Sequence, residues 1–125
     1  MATIKTLIGN LKSSANDIYS TNETVIGTWI DGKPLYRKSF NYTVTTGDSI
    51  IVADLSSLNI DTVCYMYGTF KDGNSLIESI PFYLHSQYTI APFYKLADKS
   101  LRLTANIANL TGTGVVIIEY TKTTD

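Results

Sequence analysis

Cysteine and histidine each occur once in these 125 residues, and proline three times. The lone Cys64 excludes an internal disulfide and any multi-cysteine zinc site. Within the apolar stretch TVCYMYG it reads as a buried, inert thiol. The lone His85 lies in FYLHSQY beside Ser86, but strand neighbours point to opposite faces, so the two make no base–nucleophile pair. Charge is sparse as well: 17% of residues carry it, below the usual quarter, and the formal net charge is -1. That balance gives no general attraction for nucleic acid or for an anionic membrane. No apolar run approaches the ~18 residues of a membrane span, and MATIKTLIGNLKSS lacks the apolar core of a secretory leader. The Asn-x-Ser/Thr triplets at Asn22, Asn41 and Asn109 are therefore read as chance. The chain is expected to be soluble and made in a reducing cytoplasm.

Catalytic and cofactor patterns are missing too. There is no G-x-S-x-G elbow, P-loop, GxGxxG, HExxH or D-x-D-x-D-G calcium loop, so neither a cofactor nor a metal is expected. A glycan-cleaving enzyme needs two carboxylates across a cleft. Here Asp31, Asp48, Asp72 and Asp98 fall at turns, where aspartate serves the backbone. Asp54 and Asp61 flank a loop, and Glu78 and Glu119 take strand positions expected to face solvent. No acidic pair stands out, and the chain is read as not an enzyme.

What is present favours β structure: 44% hydrophobic residues, nine tyrosines, and many threonines, serines and asparagines. Ile4, Leu7, Ile8 and Leu11 mark one face of a short amphipathic helix over 3 to 18, whose stripe must pack on the domain or on a copy of itself. The polar YSTNET connector follows, and then the period drops to two. Tyr36, Phe40, Tyr42 and Val44 alternate with Arg37, Ser39, Asn41 and Thr43, as in a strand with one covered face. Asp31-Gly32, between this strand and one over 25 to 30, predicts a hairpin with a two-residue type I′ turn. Pro34 suits the start of the second strand. In that reading Trp29 packs, while Lys33, Arg37 and Lys38 form a solvated or edge-protecting face. Further strands are predicted at 48–54, 62–70, 75–84, 88–96, 100–108 and 114–122, with SSLNID as a helical turn or a loop. Eight short strands without crossover helices predict an antiparallel β-sandwich, jelly-roll-like, over residues 19 to 125. Residues 1 to 18 form a separate helical segment for oligomerisation or attachment.

Aromatics are the remaining signal. Tyr65 and Tyr67 point away from the face of Cys64, Met66 and Phe70, so both faces of this strand are apolar. Such side chains serve core packing, cover by another subunit, or stacking on sugar rings. For a ligand site the candidates are Tyr83, His85, Gln87, Tyr88 and Tyr94.

The stretch TVIGTWIDGKPLYRK at 24 to 38, preceded by Tyr19-Ser20-Thr21, resembles a recurring module of tail-fibre and related receptor-binding or structural proteins. Those proteins belong to phages and prophages of Gram-positive bacteria. IIEYTKTTD at 117 to 125 resembles the module's closing strand, NIDTVCYMYGTFK at 59 to 71 its central strand, and the L-x-L-T pattern at Leu101 to Thr104 a later one. The resemblance implies a homotrimeric, non-enzymatic virion domain at a fibre's distal end, made in the host cytoplasm and attaching to bacterial cell-surface polysaccharide. It carries over no catalytic residues. Two other functions fit the same fold: a baseplate, neck or decoration element that binds other virion proteins, and a small glycan-degrading enzyme.

Overall fold

Apart from Lys38, the side chains of residues 36 to 44 alternate in polarity, and these residues lie in one extended strand that begins at Pro34. The computed structural model describes residues 18–45, 48–73, 76–86, 88–107 and 111–124, without the side chains of 48, 84, 85, 106 and 107. Among them are nine strands: β1 (Thr24–Thr28), β2 (Pro34–Val44), β3 (Asp48–Asp54), β4 (Ile60–Asp72), β5 (Leu76–Ile80), β6 (Phe82–His85), β7 (Tyr88–Lys95), β8 (Ser100–Ile107) and β9 (Gly112–Lys122). They form two antiparallel sheets, one in the order β1-β2-β9-β4-β5 and one in the order β3-β8-β7-β6. The chain is all-β, and among the described residues there is a single 3-10 turn, at Ser56–Leu58, inside the segment read as a turn or loop. The helix predicted over 3 to 18 lies outside the described residues except for Ile18, which is not helical.

One apolar core joins the sheets. The five-stranded sheet contributes Val44, Phe70, Val116, Ile118 and Tyr120, and the other contributes Ile90, Leu101, Leu103 and Ala105, all fully buried. Each aliphatic side chain of this size removed from water stabilises the fold by about 1.5–3 kcal/mol. Along β9 the even-numbered residues from 112 to 120 face this core. At Gly114 an added Cβ would stand 2.0 Å from the Thr69 carbonyl oxygen and 2.5 Å from the Tyr42 hydroxyl. Glycine there lets the Tyr42 ring stack on Phe70 at 6.4 Å and its hydroxyl donate to the Thr69 carbonyl at 2.8 Å.

Two local expectations change. The hairpin loop has three residues, Ile30-Asp31-Gly32. The Gly32 N–H donates to the Trp29 carbonyl at 2.9 Å, the Trp29 N–H donates to the Lys33 carbonyl at 2.8 Å, and only Gly32 takes a positive φ, 88°. A left-handed glycine closing a three-residue loop produces the strand twist that a two-residue type I′ turn would otherwise supply. The strand predicted over 75–84 is in fact two, β5 and β6, which belong to different sheets. Pro81 between them has no N–H to donate to a ladder, and the chain changes sheets there.

Strand directions define two ends. The upper end carries the last residues of β2, β4, β6 and β8 and the first of β3, β5, β7 and β9. The lower end carries the 29–33 loop, the 3-10 turn and the β7–β8 turn.

Candidate functional site

The residues that carry the resemblance converge, because β2 and β9 pair side by side with Arg37 opposite Glu119. On the face of the five-stranded sheet turned away from the core, Arg37 donates through Nε (3.1 Å) and Nη2 (3.0 Å) to one oxygen of Glu119. The Tyr67 hydroxyl donates to the same oxygen. The Tyr19 ring lies 4.2 Å above the guanidinium, and the Ile18 carbonyl accepts from Nη1. Both partners of the ion pair are buried, at 8% and 7% exposure. The positions read as solvent-facing, Arg37 and Glu119, are therefore interior, because residues 18 to 20 fold back over them and Ser20 accepts from the Ser39 N–H. Burial opposes the charged guanidinium, but Glu119 together with Tyr67 and Tyr19 outweighs it and raises the Arg37 pKa. Burial and then Glu119 likewise push the Tyr67 phenol up. At the lower end Trp29 packs edge-on against Tyr65 with ring centres 5.8 Å apart. Lys33 reaches across β9 to Asp61 (3.1 Å) and to the Lys122 carbonyl (3.2 Å), while Glu23 accepts from the Tyr120 hydroxyl and pairs with Lys122. These contacts tie the module's first residues to its last. Part of the cover over the second apolar face of β4 is thus the chain's own.

The upper end is built differently. Tyr88, in the first position of β7, is buried, with its ring edge-on to Phe82 at 5.6 Å. Its hydroxyl lies 2.6 Å from Asp72 Oδ2 at the end of β4 and 2.5 Å from Glu78 Oε1 in β5. Asp72 Oδ1 also accepts from the Leu76 N–H at 2.9 Å. One side chain thereby ties the four-stranded sheet to two strands of the other. Burial, then the bonds to Asp72 and Glu78, hold the Tyr88 phenol above its ordinary pKa. Asp72 is therefore more than a turn residue, and Glu78 points inward.

Beside this cluster is an open cleft of about 450 Å³, lined by Thr43 and Val44 of β2 and Thr45 just after it, by Lys71 and Gly73 around the end of β4, and by Thr111, Gly112 and Thr113 around the start of β9. The Gly73 N–H donates to the Thr111 carbonyl at 3.0 Å and closes one side. Threonine hydroxyls both donate and accept hydrogen bonds, and the lysine ammonium only donates. These groups offer hydrogen bonds to hydroxyl or anionic oxygen from a lining whose surface is mostly apolar, and the volume is that of a small-ligand site. Among the described residues no group of three or more His, Cys, Asp and Glu side chains is placed to hold a metal ion.

The predicted site residues separate. Tyr83 points outward from the four-stranded sheet at 71% exposure, whereas Tyr88 is interior and Tyr94 packs against the core with its phenol pushed up by burial. His85 pairs with Tyr88 through the backbone at the upper end, its side chain lying outside the described residues together with Gln87. In sequence the cleft residues are visible only as polar turns around Gly47, Gly73 and Gly112. Three chain-distant turns become one site only through the β2-β9-β4 order. No protein-family model, curated protein or solved structure matches this chain.

Proposed function

We propose that the chain is a non-enzymatic phage or prophage virion protein, a receptor-binding domain of a tail fibre that holds bacterial cell-surface glycan at its upper end. The observation that carries the reading is the threonine- and lysine-lined cleft where the strand ends converge. Its hydroxyls match a polyhydroxyl ligand, and two carboxylates at the same end, Asp72 and Glu78, are bonded to Tyr88 instead of being held apart across an opening. The resemblance of residues 19 to 38 and 117 to 125 to fibre modules supports the setting in a virion. In this reading the fold is a jelly-roll-like sandwich. The pairing of β2 with β9 and of β3 with β8, a ribbon folded back on itself, supports that winding.

A bacterial glycan array tests the reading. Wild-type protein is expected to bind surface polysaccharides, and Lys71→Ala/Thr113→Val, both changes at exposed positions, to lose that binding while remaining folded. Binding to other virion proteins with none to any glycan would favour the baseplate or neck role instead.

A further inference from the structure

Each sheet has two edges, and an open edge presents unpaired N–H and C=O groups that attract another strand. Three of the four are interrupted. β1 shifts register between Val25 and Gly27, β3 between Ile51 and Ala53, and β6 between Tyr83 and His85. Such bulges twist an edge away from pairing. β5 has no such break, and its five residues follow β4 in continuous register from Leu76 opposite Asp72 to Ile80 opposite Gly68. Its sequence, LIESI, has a single charge, and that carboxylate turns inward to Tyr88. Of the side chains left outside, Leu76 at 52% and Ile77 at 71% exposure are apolar, and Ser79 is uncharged. None of the usual protection, by lysine, proline or a bulge, is present on β5.

We infer that β5 is a self-association edge, pairing antiparallel with β5 of a second copy of this chain to continue the five-stranded sheet across a two-fold axis. A strand is the partner that matches a row of main-chain donors and acceptors, and β5 is self-complementary in one register. With Ile77 opposite the second copy's Ile77, Leu76 faces Glu78 in both directions, so no carboxylate meets its own copy. The two isoleucines then cover each other on the outer face. Centring the pair on Glu78 would instead set like charges together. Centred on Ile77, Leu76 to Glu78 of each β5 lie opposite one another, so the contact is small and the dimer weak and reversible.

The test is sedimentation of the full chain across a concentration series, with Ile77→Lys and, as a control at the opposite end, Leu96→Lys, whose native side chain is 81% exposed. Wild type and Leu96→Lys should show the same monomer–dimer equilibrium, and Ile77→Lys should weaken it at least tenfold with its melting temperature unchanged. In a Cys64→Ser background, Ile77→Cys should form a disulfide-linked dimer on mild oxidation, as an Ile77–Ile77 register requires. A wild-type monomer at every concentration would overturn the inference, as would an oligomer, trimeric or otherwise, that Ile77→Lys leaves intact.

Discussion

Replacing Tyr88 by phenylalanine removes one oxygen and keeps the ring, together with its edge-on contact to Phe82. The hydroxyl has one proton and two carboxylates within reach, at 2.6 and 2.5 Å. A hydrogen bond to a charged group contributes about 1.5–3 kcal/mol, and a buried carboxylate left with one donor fewer adds a desolvation cost of about 1 kcal/mol. Asp72, at 4% exposure, keeps the Leu76 N–H but loses a donor that bulk water cannot replace without local opening. The loss should therefore be about 2–4 kcal/mol, a large share of the 5–15 kcal/mol that holds a typical domain folded. At roughly 4 °C per kcal/mol for a chain of this size, the melting temperature falls by about 8–16 °C. Urea unfolding followed by circular dichroism at neutral pH measures the difference directly. A double-mutant cycle with Asp72→Asn should return a coupling of at least about 1 kcal/mol. A change below about 0.5 kcal/mol, or strict additivity with Asp72→Asn, would refute the view that this hydroxyl ties the two sheets together.

Two further outcomes follow from the buried polar groups. Arg37→Met strands Glu119 in the interior and should cost about 3–5 kcal/mol, while Arg37→Met/Glu119→Leu should recover much of that loss; a mild single change in chemical denaturation would mean that the pair is solvated. The buried phenols of Tyr42, Tyr88 and Tyr120 are all raised above the ordinary value near 10, chiefly by burial. Because the folded values are the higher ones, this contribution is complete below about pH 10 and is lost as pH rises toward them, by about 1.4 kcal/mol per phenol per pH unit. Phenolate absorbance from these three residues should thus appear together with unfolding, and its appearance in a still-folded protein would contradict the assignment.

The strands were legible because a two-residue period survives wherever one face meets the core, as at Phe40, Tyr42 and Val44 of β2 and Leu101 and Leu103 of β8. The same logic misplaced Arg37 and Glu119. Alternation correctly sends them to the face away from the core, but only tertiary structure shows that Tyr19 and the Ile18 carbonyl lie over them. Asp31-Gly32 marked the hairpin but not its loop length, since one left-handed glycine serves a two- or a three-residue loop. In sequence Tyr88 is one aromatic among several ligand-site candidates, yet the partners that turn it inward lie 16 and 10 residues away on other strands. The cleft was the least legible feature. Threonine, glycine and lysine near turns are ordinary, and only the strand order collects them.

The most direct test of the proposed function is a calorimetric titration of purified Gram-positive cell-wall polysaccharide into the chain, with polymer length measured before and after. Saturable binding is expected, weakened at least tenfold by Lys71→Ala/Thr113→Val, with the polymer left at full length. Binding that ignores those substitutions, or a polymer shortened in the course of the titration, would contradict it.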